Sequence, residues 1–181
     1  MALLIMDVYR ATVPMLENAG PYLASLSGAL KKARANSIPV IYIVLRFRNG
    51  YPEISLSSKM FAGIKENPAL KFDTEDSMQV HAAVAPLKGD ITVIKKRVGA
   101  FTGSDLEVLL RSMEIKHIVL TGISTSGGVL STLCEAADKD YAITVLSDCC
   151  TDMDEEVHRI LISKIFPRKV DVVTSAEWSI Q

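Results

Sequence analysis

Cysteine is scarce in this chain, with three residues among 181. The count is odd, no pair stands in Cys-x-x-Cys spacing, and Cys149 and Cys150 are adjacent. These features exclude a disulfide framework or a structural zinc knot and point to a reducing, cytoplasmic location. An excess of charge is also lacking. Twenty basic and 21 acidic residues, interspersed, leave a net charge of -1. That removes the electrostatic case for nucleic acid or an anionic membrane as partner. No apolar run is long enough to span a bilayer. No His-x-x-x-His or similar ligand spacing occurs, so neither metal nor cofactor is expected. Internal repeats and low-complexity segments are absent too. The apolar opening at 2–8 is short, has no basic leader and runs into Asp7, so it reads as a strand and not a signal peptide.

What is present is ordinary globular material, 49% hydrophobic and 23% charged. The length suits one domain, residues 1–181, with a substantial core. Short continuous apolar runs predict buried strands at Ala2–Val8, Pro39–Leu45, Ile91–Lys95, His117–Leu120, Ala142–Ser147 and Val170–Thr174. Between them lie helical patterns. Residues 13–36 place Leu16, Leu23, Leu26, Leu30 and Ala33 on one side, with Pro21 starting or interrupting the helix. Further helices are predicted near Ser58–Lys65, at Ser104–Met113, Gly127–Lys139 and Asp154–Ile165. Ser104 followed by Glu107 has the capping-box pattern. Residues 46–86 are otherwise irregular.

Strands alternating with helices imply an α/β fold with a parallel sheet of about six strands covered on both faces. Functional residues in such sheets gather beyond the carboxyl ends of the strands. Those ends carry Asp7, Arg46, Lys95, the Gly122–Gly128 turn and Asp148-Cys149-Cys150. The turn is the most informative. A β-branched run stops at Thr121-Gly122, a knot of Ser, Thr and Gly follows, and a helix opens. The free N–H groups of such a helix start favour an anion.

Three segments carry a family resemblance that covers nearly the whole chain. They are Leu-Leu-Ile-Met-Asp-Val-Tyr (3–9), Lys-Lys-Arg-Val-Gly-Ala-Phe-Thr-Gly-Ser-Asp-Leu (95–106) and Gly-Ile-Ser-Thr-Ser-Gly-Gly (122–128). In that order and spacing they resemble the isochorismatase-like, or cysteine, hydrolases. The resemblance implies a three-layer α/β/α fold with strand order 3-2-1-4-5-6. It implies a catalytic aspartate at Asp7, a catalytic lysine at Lys95, and the nucleophilic cysteine's position at Gly128. It also implies a cis peptide at Ile123-Ser124 and a homo-oligomer. The chain departs from the family pattern at Tyr9, where glutamine is common, at Gly99, where serine is usual, and at Gly128.

A glycine cannot attack a carbonyl. Cys134 is six residues further on, about 240° around a helix, and should face elsewhere. Ser124 and Ser126 are weak nucleophiles without a base, and none of His81, His117 and His158 is expected to reach the turn. The family's second chemistry, as the resemblance implies, needs no thiol. True isochorismatases cleave a vinyl ether, with the aspartic acid protonating the enol-ether carbon and water completing the reaction. The expected substrate is therefore a small anionic molecule. Arg46, Phe101, Ile123, Ser124, Thr125, Ser126 and Gly127 are the candidate binding residues. Arg46 and Arg48 suit a carboxylate, and residues 46–86 or a neighbouring subunit would supply a lid. Cys149 and Cys150 read as buried small hydrophobes, and Trp178 as core or subunit contact. The rival reading is a catalytically degenerate member that binds a ligand or another subunit. Arginines at the pocket would favour the enzyme, and a closed apolar pocket the binder.

Overall fold

The computed structural model describes residues 1–67, 71–74 and 79–180. The strands are β1 (Ala2–Met6), β2 (Val40–Leu45), β3 (Ile91–Lys95), β4 (His117–Ile123), β5 (Ala142–Thr151) and β6 (Asp171–Val173). The helices are α1 (Ala19–Ala35), α2 (Lys59–Glu66), α3 (Leu106–Ser112), α4 (Leu130–Ala137) and α5 (Glu155–Ile160). The strands form one sheet in the order β3-β2-β1-β4-β5-β6. Every pairing is parallel. The expected order and fold class therefore hold.

Every residue of β1 and β2 is buried, as expected of strands with helices on both faces. Alternation sorts their side chains. Leu3, Ile5, Val40, Tyr42 and Val119 share one face with Tyr22, Leu26, Leu30 and Ala33 of α1. Leu4, Met6, Ile41, Ile43, Val93 and Leu120 share the other with Leu106, Leu110, Leu133 and Ala136 of α3 and α4. Each fully buried Leu or Ile contributes about 1.5–3 kcal/mol. A third cluster, with Tyr9, Leu45, Phe47, Ile54, Phe61 and Ile64, covers the ends of β1 and β2 with residues from the irregular segment.

Several local expectations need correction. The pattern over 13–36 forms two pieces, a single turn at Val13–Met15 and then α1, with Pro21 in the first turn of α1. There its missing N–H has no intrahelical partner to lose. β5 continues past Ser147 to Thr151, so Asp148, Cys149 and Cys150 lie within the strand rather than beyond it. The register slips to allow this: Leu120 pairs with Val145, but Gly122 pairs with Cys150. The Ser104–Glu107 capping box does not form. Asp105 occupies the cap position of α3. The Ser104 hydroxyl accepts the Leu106 N–H at 3.2 Å, while Glu107 binds Lys139 at 2.7 Å and Arg111 at 3.4 Å. Cys149, Cys150 and Trp178 are buried in the core. Among the described residues, no helix is long and apolar enough to cross a membrane.

Candidate active site

The sheet register builds the site. Met6 pairs with Ile43 on one side and Gly122 on the other, and Leu45 pairs with Lys95. Asp7 and the turn after β4 therefore emerge from adjacent central strands, and Lys95 reaches them from β3, the outer strand, across the end of β2. Gly122 makes the closest approach. Its φ is +128, and a Cβ there would lie 2.1 Å from the Met6 carbonyl oxygen. Asp7 itself has φ +55, a left-handed conformation that an aspartate adopts more readily than most residues. That kink ends β1 and turns the carboxylate toward Lys95.

Lys95 Nζ donates to Asp7 Oδ2 at 2.5 Å and to the Val98 carbonyl at 2.7 Å. Lys95 is 1% exposed, whereas the Asp7 side chain is 17% exposed. A buried ammonium needs such partners. The other carboxylate oxygen, Oδ1, accepts the Tyr9 hydroxyl at 2.5 Å. Gly128 faces this pair. A Cβ there would lie 2.9 Å from Asp7 Oδ2 and 3.4 Å from Lys95 Nζ. Asp7, Lys95 and Gly128 thus form one cluster, and the peptide Ile123-Ser124 is cis.

The binding residues named from the sequence divide. Ile123, Ser124, Thr125, Ser126 and Gly127 stand beside the cluster, but much of the turn is already satisfied internally. The Gly127 and Val129 N–H groups donate to the Ser124 carbonyl at 3.2 Å. The Ser126 N–H donates to Asp152 Oδ2 at 2.7 Å. Thr125 is buried, with its hydroxyl 2.7 Å from His158 Nδ1. Those N–H groups are therefore not an open anion cradle. His158, which the sequence did not bring to the turn, holds it from α5. Burial pushes the His158 imidazole below its ordinary pKa, against the raising influence of Asp152 and Glu155.

Arg46 and Phe101 are not brought to the pair. Arg46 lines a depression of about 400 Å³ with Thr92 and Ile94. Neither Asp7, Lys95 nor Gly128 lines that depression. The Phe101 ring packs 5.9 Å from Tyr141, with Lys139 above it. Tyr141 precedes β5, at the amino end of the sheet, so Phe101 belongs to the core. Arg48 is a surface residue, its side chain 74% exposed and paired with Glu53 at 2.7 Å.

Tyr9 was missed because nothing in a lone tyrosine two residues after an aspartate signals a contact to it. The departure from the family's glutamine was the available cue. Among the described residues, no group of three or more His, Cys, Asp or Glu side chains is gathered to hold a metal ion.

Comparison with known proteins places this geometry in a family. The isochorismatase domain model matches residues 1–177. The uncharacterised isochorismatase family protein YecD of Escherichia coli O157:H7 is 34% identical over 172 residues, covering 92% of this chain and 88% of its own. The ureidoacrylate amidohydrolase RutB of Pantoea ananatis is 30% identical over 174 residues, covering 81% of this chain and 67% of its own. An isochorismatase family protein of Burkholderia thailandensis superposes with a TM-score of 0.84 at 28% identity, covering 97% of this chain and 91% of that one. With the family match running through all three segments that form the cluster, the chain belongs to the isochorismatase family, whose members are hydrolases.

Proposed function

We propose that this protein hydrolyses a small anionic molecule without a covalent enzyme intermediate, with Asp7 as the proton-transferring group and a vinyl ether as the substrate class. The observation that carries the reading is the arrangement at the strand ends. A buried lysine is paired with a partly exposed aspartate, and the residue facing them, Gly128, has no nucleophilic atom. In the proposed reaction, the acid form of Asp7 gives its proton to the enol-ether carbon. The ether oxygen shares the resulting positive charge. Water adds to that centre and returns a proton to Asp7, and the hemiketal collapses to a keto acid and an alcohol. An ammonium has three donors. Lys95 directs two at Asp7 and Val98, and the third suits a substrate oxygen. RutB acts on an acrylate, a small carboxylate, which agrees with an anionic substrate. The Asp7 side chain is the more exposed member of the pair, and this reading includes a lid, from residues 46–86 or a neighbouring subunit, in a cytoplasmic homo-oligomer.

A second reading, a ligand-binding member without turnover, is favoured by two observations. Both Asp7 oxygens already accept hydrogen bonds, and Arg46 and Arg48 lie away from the pair. One set of variants separates the two, assayed on vinyl ethers such as isochorismate and on simple amides. Asp7→Asn should keep the fold and ligand binding but lower kcat by about 10²–10⁴-fold, the contribution of a positioned acid. Lys95→Ala should weaken both binding of an anion and turnover. Thiol reagents should modify Cys134, Cys149 or Cys150 only slowly and leave turnover intact. Cys149 and Cys150 are buried, and burial raises both thiols, that of Cys150 to about 12. Full activity in Asp7→Asn would exclude the proton-transfer role, and no turnover by the native protein across the panel would favour the binder.

A further inference from the structure

The Tyr9 hydroxyl occupies a position with little freedom. It donates to Asp7 Oδ1 at 2.5 Å and accepts the backbone N–H of Leu45, at the end of β2, also at 2.5 Å. A hydroxyl has one proton to give. With Leu45 donating to its lone pair, that proton is directed at Asp7. Tyr9 is 3% exposed. Its backbone is tied down by the Tyr9–Val80 bridge, and its neighbours by the bonds from Arg10 N–H to Gln79 and from His81 N–H to Val8. Its ring lies edge-on to Phe72 at 6.4 Å. Burial, followed by the charge and hydrogen bond of Asp7, holds the phenol well above its ordinary pKa, so it stays a donor.

The two carboxylate oxygens are therefore not equivalent. Oδ1 is held as an acceptor by a donor that cannot rotate away without leaving the Leu45 N–H unsatisfied, a loss that burial makes expensive. Oδ2 faces Lys95 and the Gly128 backbone. We propose that Tyr9 is a positioning residue: by binding Oδ1 it fixes the plane of the Asp7 carboxyl, so that Oδ2 is presented to Lys95 and to the space beside Gly128. This rests on the proton-transfer role proposed for Asp7. In that step the Oδ2–H bond breaks, a C–H bond forms on the enol-ether carbon, and the carboxylate left behind keeps its Tyr9 hydrogen bond. The proton released by the attacking water then returns to Oδ2.

The test uses Tyr9→Phe and, as a fold-preserving control, 3-fluorotyrosine placed at position 9, which retains the donor. The Asp7 carboxyl carbon is followed by NMR through a pH titration, alongside kcat and KM. The groups facing this carboxyl are Lys95 from β3, Tyr9 itself and, acting through its field, Tyr22 from α1. In Tyr9→Phe the charged carboxylate loses a donor, so the titration midpoint should move to higher pH. The kcat should fall about tenfold to a hundredfold, as for loss of a hydrogen bond to a charged group, with KM held. Fluorotyrosine should restore the midpoint and most of the turnover. An unmoved midpoint in folded Tyr9→Phe overturns the inference, whatever the activity, as does failure of fluorotyrosine to restore it. A midpoint that moves while Asp7→Asn keeps full turnover leaves Tyr9 as the group that orients the carboxyl, and it is then the proposed reaction that fails.

Discussion

At the scale of single residues, Gly122 and Gly128 border the same site for different reasons. Gly122 is required by the backbone. An alanine there would need both a disfavoured positive φ and a Cβ 2.1 Å from the Met6 carbonyl, a rigid strand atom. Gly122→Ala is expected to destabilise the protein by at least about 3 kcal/mol, combining strain with a backbone clash. Urea unfolding measures this, and a loss within about 1 kcal/mol, the size of an ordinary substitution, would show that β4 can move away from β1. Gly128 has no such φ restriction, and its crowding comes from the Asp7 carboxylate and the Lys95 ammonium. Asp7, Lys95 and Gly128 were legible because each sits in a linear motif at a strand end. Tyr9 and His158 were not. Tyr9 meets Leu45, and His158 meets Thr125, across 36 and 33 positions respectively, and local patterning does not encode such contacts.

At the scale of elements, the turn after β4 depends on α5. His158 holds Thr125, and Asp152, just before α5, accepts the Ser126 N–H. α5 itself is short and begins with a real cap: Asp154 Oδ1 accepts the N–H groups of Glu156 at 2.9 Å and Val157 at 3.1 Å. Asp154→Ala should cost about 1 kcal/mol, a fall in Tm of roughly 2–4 °C for a chain of this size. A scanning calorimetry trace without that shift would mean that packing alone maintains the first turn of α5. The elements that periodicity located best are β1 to β3, where apolar runs leave little choice, whereas β4 runs on to Ile123, past the expected Leu120. The continuation of β5 to Thr151 escaped notice because Ser147, Asp148 and the cysteines do not read as strand. Asp148 tolerates the strand because Ser175 satisfies its carboxylate through both N–H and hydroxyl, at 2.7 and 2.6 Å. The capping box of α3 failed for a related reason, since Glu107 found a cation, Lys139, on a different element.

For the molecule as a whole, two partly buried histidines give stability a dependence on pH below neutrality. Burial lowers the pKa of both His117 and His158, in each case against weaker raising influences, Asp171 for the first and Asp152 and Glu155 for the second. The native state therefore disfavours their charged forms, and the unfolded chain binds more protons. The sign follows: stability is complete above the unfolded histidine value of about 6.5 and is lost as pH falls through the lower folded values. Chemical denaturation from about pH 7 to about pH 5.5 should show this decline, and replacing both histidines with glutamine should flatten it. An unchanged slope in the double variant would assign the decline to carboxylates instead.

The α/β class, the run of buried strands and the segments bearing Asp7, Lys95 and Gly128 were determined by the sequence alone, since they follow from local periodicity and from short motifs. The tertiary structure decided which of the residues at the strand ends share a face. It put Arg46 in a depression that neither Asp7 nor Lys95 lines, turned Phe101 into the core, paired the Ser126, Gly127 and Val129 N–H groups with Asp152 and Ser124, and set the Tyr9 hydroxyl on Asp7. Those outcomes depend on register, pleat and burial. A one-residue change in any of these moves a side chain to the other face, and no local pattern records it.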